Sequence, residues 1–164
     1  MMIKVSPIPE GYRTVTPNLT FKDTSKALKF YHAAFDAETL ENLPRPDSSA
    51  TMHALIRIGD SLLMMGDEMP GAECSKSPES LGGTSISMYV YVPNVDSAFA
   101  KAIGAGAVSV MPVADMFWGD RCGSFKDPFG YQWTVATHTR DLKREDVQEG
   151  AKAFFDEMRK SSNV

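Results

Sequence analysis

The stretches "IGDSLLMM" (residues 58–65) and "FGYQWTVA" (residues 129–136) decide the fold, because each places a glycine turn directly before a run typical of a β-strand. They lie 71 positions apart. The same offset carries Asp23, a possible helix cap, onto Asn94, which has the same capping chemistry. Repetition at one fixed spacing indicates two copies of a structural unit. The sequence therefore predicts an internal repeat.

Both units show the same order of elements. "YRTVTPNLTF" (residues 12–21) and "SISMYVYV" (residues 85–92) are rich in β-branched and aromatic residues, which favour strands. "SKALKFYHAAF" (residues 25–35) and "SAFAKAIGAGA" (residues 97–107) follow them with apolar residues at helical spacing. Three strand-like segments come next in each unit, and the one around Thr39 to Leu43 has the weakest pattern. Each unit is thus predicted to be a β-α-β-β-β module.

These patterns predict one α+β domain over residues 1–164, built from two tandem β-α-β-β-β modules. The first module covers residues 12–67 and the second covers residues 84–140. A connector rich in Pro, Gly and Ser separates them over residues 68–83. Residues 141–164 are predicted to form a C-terminal amphipathic helix, with Asp141 as its possible cap.

Composition excludes several classes of protein. The net charge is −4 and the basic residues are scattered, so we expect no nucleic-acid partner. No apolar run reaches the roughly 18 residues that a membrane span requires, and the N-terminus lacks the apolar core of a secretory signal. We expect a cytoplasmic protein, in which Cys74 and Cys122 are free thiols. Arg121 could lower the thiol pKa of its neighbour Cys122.

Strand alternation assigns side chains to the two faces of each sheet, because neighbouring residues point to opposite sides. The 71-residue offset pairs Leu62 with Trp133 and Met64 with Val135, and these four residues are predicted to lie under the helices. The residues between them are then predicted to line a ligand-facing inner surface: Leu63, Met65, Gln132 and Thr134.

The segment "MFWGDRCG" (residues 116–123) has no counterpart in the first module. Phe117 and Trp118 place large rings beside a glycine, and Arg121 offers five donors for a carboxylate, phosphate or enolate oxygen. The alternative for Arg121 is a surface ion pair. His53 is a candidate catalytic base or a structural histidine, and His138 is expected to cap or border the end of the last strand.

These motifs resemble the vicinal oxygen chelate superfamily, which includes glyoxalase I, bleomycin and fosfomycin resistance proteins and extradiol dioxygenases. The similarity rests on "FYHAAFDAE" (30–38), "MHALIRIGDSLLMMGD" (52–67), "MYVYVPNVDSAFAKAIGAGA" (88–107) and "DPFGYQW" (127–133). Residues 117–138 are similar to the PhnB-like group of that superfamily. The resemblance implies a U-shaped mixed sheet around a cavity, helices outside, and a homodimer.

The resemblance also implies where a divalent metal would bind. Family enzymes use a His or Gln near the start of a module's first strand and a Glu on its last strand. The matching positions here are Thr16, Leu63, Ser87 and Thr134. These side chains cannot replace imidazoles and carboxylates as metal ligands. We therefore expect no family-type metal centre and no cofactor, with a divalent metal as the runner-up.

Three functions are compatible with this sequence. The leading hypothesis is a protein of the glyoxalase and bleomycin-resistance type that binds a small organic molecule in an apolar and aromatic cavity, with Arg121 as the polar anchor. The second is a metal-dependent or His53-dependent lyase or dioxygenase-type enzyme of the same superfamily. The third is a dimeric, non-catalytic scaffold or regulatory subunit whose interface includes Phe154 and Phe155.

Overall fold

A computed structural model describes residues 5–71 and 75–161; Cys74 lies outside these ranges. The elements of the first module and the connector are β1 (Asn18–Phe21), α1 (Thr24–Phe35), β2 (Glu38–Pro44), β3 (Thr51–Ile58), β4 (Ser61–Asp67) and α2 (Pro78–Leu81). The second module and the C-terminus supply β5 (Ser87–Tyr91), α3 (Val95–Gly104), β6 (Val108–Asp115), β7 (Asp120–Lys126), β8 (Gln132–His138) and α4 (Arg144–Ser161). The predicted α+β class, with two β-α-β-β-β modules and a C-terminal helix, is confirmed.

The two modules are built alike. Their four-stranded sheets have the orders β1-β4-β3-β2 and β5-β8-β7-β6. In each sheet the first and last strands of the module pair in parallel, and the remaining pairs are antiparallel. Asp23 caps α1 by accepting from the Lys26 amide, and Asn94 caps α3 by accepting from the Ser97 amide. The two modules therefore share the hydrogen bonds that cap their helices as well as their sequence pattern.

One core joins the modules. Helices α1 and α3 pack against each other, and one face of each sheet contributes to the same buried cluster. The ring of Tyr31 on α1 lies 5.3 Å from that of Trp133 on β8, so the helix of one module contacts the sheet of the other. Within the described residues the two sheets remain separate and do not join through their edge strands into one U-shaped sheet. Each sheet has one face packed against the shared core and a second face turned away from α1 and α3, which we call its open face.

The predicted faces of β4 are wrong. Leu63 and Met65 are only 4% and 1% exposed, and they lie on the core side of the sheet rather than on its other face. Their predicted part in ligand binding stays a prediction. The cause is one extra residue in the second hairpin turn: Ile58 pairs with Ser61 across two residues, whereas the equivalent Asp127 and Tyr131, joined by a hydrogen bond from the Asp127 amide to the Tyr131 carbonyl, are separated by three. The glycines therefore align at 71 positions, but the buried side chains of β4 and β8 align at 70. A slip of one residue moves every side chain to the other face.

Helix α4 lies at the surface and leaves Phe155 and Met158 exposed. Its contact with the second module runs through Phe117, whose ring lies 5.6 Å from that of Phe154. Asp141 does not cap this helix, which begins at Arg144; its carboxylate instead contacts His138. Among the helices of the described ranges, none is long and apolar enough to cross a membrane.

Candidate functional site

The open face of the second sheet carries a group of aromatic side chains. Tyr89 and Tyr91 alternate along β5 and point to this face, with their ring centroids 5.2 Å apart. Trp118 reaches them from the connection between β6 and β7. We call these three residues the aromatic patch. Tyr91 is 62% exposed, and the other two rings are also partly accessible, so the patch can contact a molecule from solvent.

A buried carboxylate fixes the aromatic patch. Asp120 at the start of β7 is 3% exposed, and its Oδ2 atom accepts hydrogen bonds from Tyr89 Oη at 3.1 Å, Tyr91 Oη at 3.0 Å and Trp118 Nε1 at 3.2 Å. The other oxygen, Oδ1, lies 2.7 Å from His138 Nδ1. Hydrogen bonds to an ionised acceptor are among the strongest in proteins. This arrangement holds three rings in defined positions before any ligand arrives.

Asp120 also controls the protonation of the groups around it. Burial raises the pKa of the Tyr89 hydroxyl, and the hydrogen bond to Asp120 raises it further. The hydrogen bond from Tyr91 to Asp120 is the main cause of the raised pKa of the Tyr91 hydroxyl. Although burial opposes ionisation of Asp120, hydrogen bonds from His138 and the two tyrosines hold its pKa below the ordinary value. The site therefore combines a carboxylate with neutral phenols that donate to it.

His138 links the sheet to the segment before α4. Its Nδ1 atom faces Asp120 and its Nε2 atom lies 3.0 Å from Asp141 Oδ1. The hydrogen bonds to Asp120 and then to Asp141 raise the pKa of the imidazole above its ordinary value. In the protonated form both ring nitrogens donate, so His138 bridges two carboxylates.

We expect His138 to titrate above the ordinary histidine pKa of about 6.5 in an NMR titration of its ring resonances. A folded-state pKa that is raised adds stability at pH values below the unfolded pKa, and this contribution is lost as the pH rises through the folded pKa. Asp120→Asn should lower the titration midpoint, and Asp141→Asn should lower it less. An unchanged midpoint in Asp120→Asn would contradict the assigned role of the buried carboxylate.

The structure brings some of the predicted site residues to this face. Phe117 packs edge-on against Trp118, with ring centroids 4.9 Å apart. Gln132 and Thr134 lie on the open side of β8, where the Thr134 hydroxyl is 2.8 Å from that of Ser124. Of the predicted residues, Trp118 belongs to the aromatic patch, and Phe117, Gln132 and Thr134 lie beside it on the same module. Their participation in ligand binding remains a prediction.

Arg121 does not lie on the open face. It alternates with Asp120 along β7, so its side chain points toward α3, where Nε and Nη2 bind the two oxygens of Asp96 at 2.9 and 2.8 Å. Its Nη1 atom is also 3.5 Å from Asp115. Arg121 is therefore in a surface ion pair, as the alternative predicts, and it lies on the face of β7 opposite the aromatic patch. Its role as a polar anchor for a ligand stays a prediction.

Two further candidate residues, His53 and Cys122, do not lie in a reactive cluster of side chains. His53 belongs to the first sheet, where its Nε2 atom is 3.8 Å from Glu41. Its suggested role as a catalytic base stays a prediction. Cys122 is buried on β7, and burial raises its thiol pKa despite a hydrogen bond with Tyr89. The suggestion that Arg121 activates this thiol is wrong, because the two side chains point to opposite faces of β7.

The inner-surface positions do not form the metal centre that the resemblance implies. With the corrected register, the counterpart of Thr134 is Met64 rather than Leu63. The matching first-strand positions remain Thr16 and Ser87, so the donor set consists of three hydroxyls and a thioether. These groups do not fit a zinc, iron or nickel centre. Over residues 5–71 and 75–161, no group of three or more His, Cys, Asp or Glu side chains is arranged to hold a metal ion.

The two paired β-α-β-β-β modules are typical of a known class of proteins. The sequence profile of the Glyoxalase/Bleomycin resistance protein/Dioxygenase superfamily matches residues 14–135, and the chain belongs to this superfamily. It is 37% identical over 150 residues to uncharacterized proteins of Mycobacterium bovis and Mycobacterium tuberculosis. That alignment covers 90% of this chain, 94% of the first protein and 84% of the second.

Solved structures show the same fold at lower identity. TioX from Micromonospora sp. ML1 is 24% identical, with a TM-score of 0.58 over 80% of this chain and 100% of that one. A gene product from Arabidopsis thaliana is also 24% identical, with a TM-score of 0.60 over 76% and 98% of the two chains. A PhnB protein from Bacillus cereus is 18% identical, with a TM-score of 0.57 over 76% and 99%. The family profile confirms the resemblance to the superfamily, and a PhnB protein is among the structural neighbours.

Proposed function

We propose that this protein binds a small, flat organic molecule on the aromatic patch and does so without a family-type metal centre. The observation that carries the proposal is the convergence of Tyr89, Tyr91 and Trp118 on the buried carboxylate of Asp120. Rings that are already locked lose little conformational freedom when a ligand stacks on them. Their faces offer a large apolar contact area, which favours aromatic ligands.

A second copy of the chain would complete this site. The open faces of both sheets are turned outward in one chain, and large apolar side chains such as Tyr91, Leu43 and Ile86 are exposed. Exposed apolar surface of this kind favours association. We therefore propose a homodimer, and sedimentation equilibrium should give twice the chain mass of 18.0 kDa. A single species at the mass of one chain would contradict the dimer.

Binding can be tested with 1-anilinonaphthalene-8-sulfonate, a flat aromatic probe whose fluorescence rises in apolar surroundings. We expect saturable binding, weakened roughly tenfold in Tyr91→Ala because the exposed ring of the patch is removed. Leu81→Ala is the matched control, since Leu81 is an exposed apolar residue of the connector helix α2. Equal affinity in Tyr91→Ala and Leu81→Ala, with both variants folded, would place the binding elsewhere and refute the proposed site.

A further inference from the structure

Two aromatic residues fill a corner between the modules. Phe129 and Tyr131 belong to the five-residue turn between β7 and β8, and both rings enter the shared core. The ring of Phe129 lies 5.5 Å from that of Phe21 and 6.0 Å from that of Phe30. Tyr131 lies 5.3 Å from Phe21. We call this place, defined by these four residues, the filled corner.

The Tyr131 hydroxyl hydrogen-bonds to main-chain groups on the unpaired edge of β1. It accepts a hydrogen bond from the Thr20 amide and donates one to the Thr20 carbonyl, both at 2.9 Å. Strand β1 pairs with β4 on one side only, so these two main-chain groups would otherwise face away from the sheet. A phenol is well suited to this position because a single hydroxyl can both donate and accept.

The repeat generates an equivalent place at β5. Thr20 is in register with Gly66, and Tyr91 is in register with Ala136 at the same point of the second sheet. The amide of Val92 donates to the Ala136 carbonyl on β8. Because successive residues direct their main-chain groups to opposite sides of a strand, the amide and carbonyl of Tyr91 point to the free edge of β5.

This second corner is open. The turn between β3 and β4 has two residues, Gly59 and Asp60, and supplies no ring that could enter it. A cavity of about 780 Å³ lies there instead, bounded by the edge of β5 and by α3. Its apolar lining includes Phe35, Leu62, Met88, Val92 and Trp133. It lies on the helix side and edge of β5, and Tyr89 and Tyr91 of the aromatic patch form part of its border.

The rim of the cavity favours an uncharged ligand. Lys101 and Arg13 contribute positive charge, and Asp36 and Asp60 contribute an equal number of negative charges. Lys101 Nζ is already 2.6 Å from Asp36 Oδ2. Lys101 stands where the filled corner has Phe30, and Val92 stands where it has Phe21, so two rings of the filled corner have no counterpart here. The cavity therefore has space for the aromatic ring of a ligand.

We propose that this cavity is a second binding site, and that it takes neutral hydroxyaromatic compounds. The aromatic ring lies among the apolar side chains, and its hydroxyl bonds to the amide and carbonyl of Tyr91. The ligand thereby occupies the place that Tyr131 occupies in the filled corner. This inference does not depend on the ligand of the aromatic patch.

The test compares p-cresol, which reproduces a tyrosine side chain, with toluene, which lacks the hydroxyl. In amide-resolved NMR titrations we expect saturable shifts of the Tyr91 and Val92 amides with p-cresol, and at least tenfold weaker binding of toluene. Ala98→Leu should abolish these shifts because Ala98 lines the cavity. Ala100→Leu, on the exposed side of the same helix, should leave them unchanged.

Three results would overturn the proposal: no saturable shift at Tyr91, equal affinity for the two probes, or unchanged p-cresol binding in Ala98→Leu. The amide spectrum itself shows whether each variant is folded. If Ala98→Leu does not fold, Ser97→Phe serves as the test variant in its place. Ser97 is exposed and lines the same cavity, so the added ring fills it. Tyr91 borders both sites, but Ala98 and Ser97 lie on α3 and line only the cavity, so p-cresol binding that persists in these variants overturns this inference and leaves the proposed function untouched.

Discussion

Replacement of Asp127 by alanine is expected to lower the free energy of unfolding by roughly 3 to 5 kcal/mol. Asp127 is 4% exposed and accepts four hydrogen bonds in the core between the modules. Tyr31 Oη donates at 2.7 Å, Trp133 Nε1 at 3.0 Å, and the amides of Phe129 and Tyr131 at 2.9 Å each. Alanine would leave four buried donors without an acceptor, and each unpaired group carries a desolvation penalty.

Urea unfolding would measure this loss. Asp127→Asn retains one side-chain oxygen and should lose less stability than Asp127→Ala. Asp60→Ala is the matched control, because Asp60 lies in the corresponding turn of the first module but is exposed. Its stability should stay within about 0.5 kcal/mol of the unchanged protein. A loss below about 1 kcal/mol in Asp127→Ala would show that the four donors find other partners, contrary to this assignment.

Gly119→Ala is expected to have the second large effect, with a loss of roughly 3 kcal/mol and of probe binding at the aromatic patch. Gly119 has φ of +99°, and a Cβ atom there would lie 2.2 Å from the carbonyl oxygen of Arg140. Its own carbonyl accepts from the amides of Thr139 and Arg140 at 3.0 Å each. Because Gly119 stands between Trp118 and Asp120, relief of the collision must displace the site.

Two glycine variants separate the causes of this effect. Gly59→Ala has a positive φ of +57° but open space around the added Cβ, so it reports backbone strain alone. Gly83→Ala has open space and no positive φ, and it should be nearly neutral. Thermal unfolding should rank Gly119→Ala as the least stable, then Gly59→Ala, then Gly83→Ala. A Gly119→Ala protein as stable as Gly83→Ala would contradict the close packing of this turn.

Much of the fold could be predicted from the sequence because its signals are local and occur twice. The caps Asp23 and Asn94 begin equivalent helices, and strand-like segments follow each helix in the same order. The register could not be predicted in this way. The glycines of the two hairpin turns suggest one offset, but the difference in turn length shifts the strands by one residue. The sequence pattern alone therefore predicts the wrong face for Leu63 and Met65.

The site was only partly predictable for a different physical reason. Phe117 and Trp118 are recognisable in the sequence because large rings beside a glycine have no counterpart in the first module. The remaining members of the site come together only through strand pairing: Tyr89 is 31 positions from Asp120, and His138 is 18 positions from it. The alternation of Tyr89 and Tyr91 along one strand was the available signal. Nothing local indicated that Asp120 would be their common acceptor.

We propose that the aromatic patch around Asp120 binds a flat organic molecule. The most direct measurement is an NMR titration with 1-anilinonaphthalene-8-sulfonate, following tyrosine and tryptophan ring signals of the labelled protein. We predict saturable shifts at Tyr89, Tyr91 and Trp118, with the buried ring of Trp133 little affected. Saturable shifts that leave all three rings of the patch unchanged, or no saturable binding at all, would contradict the claim.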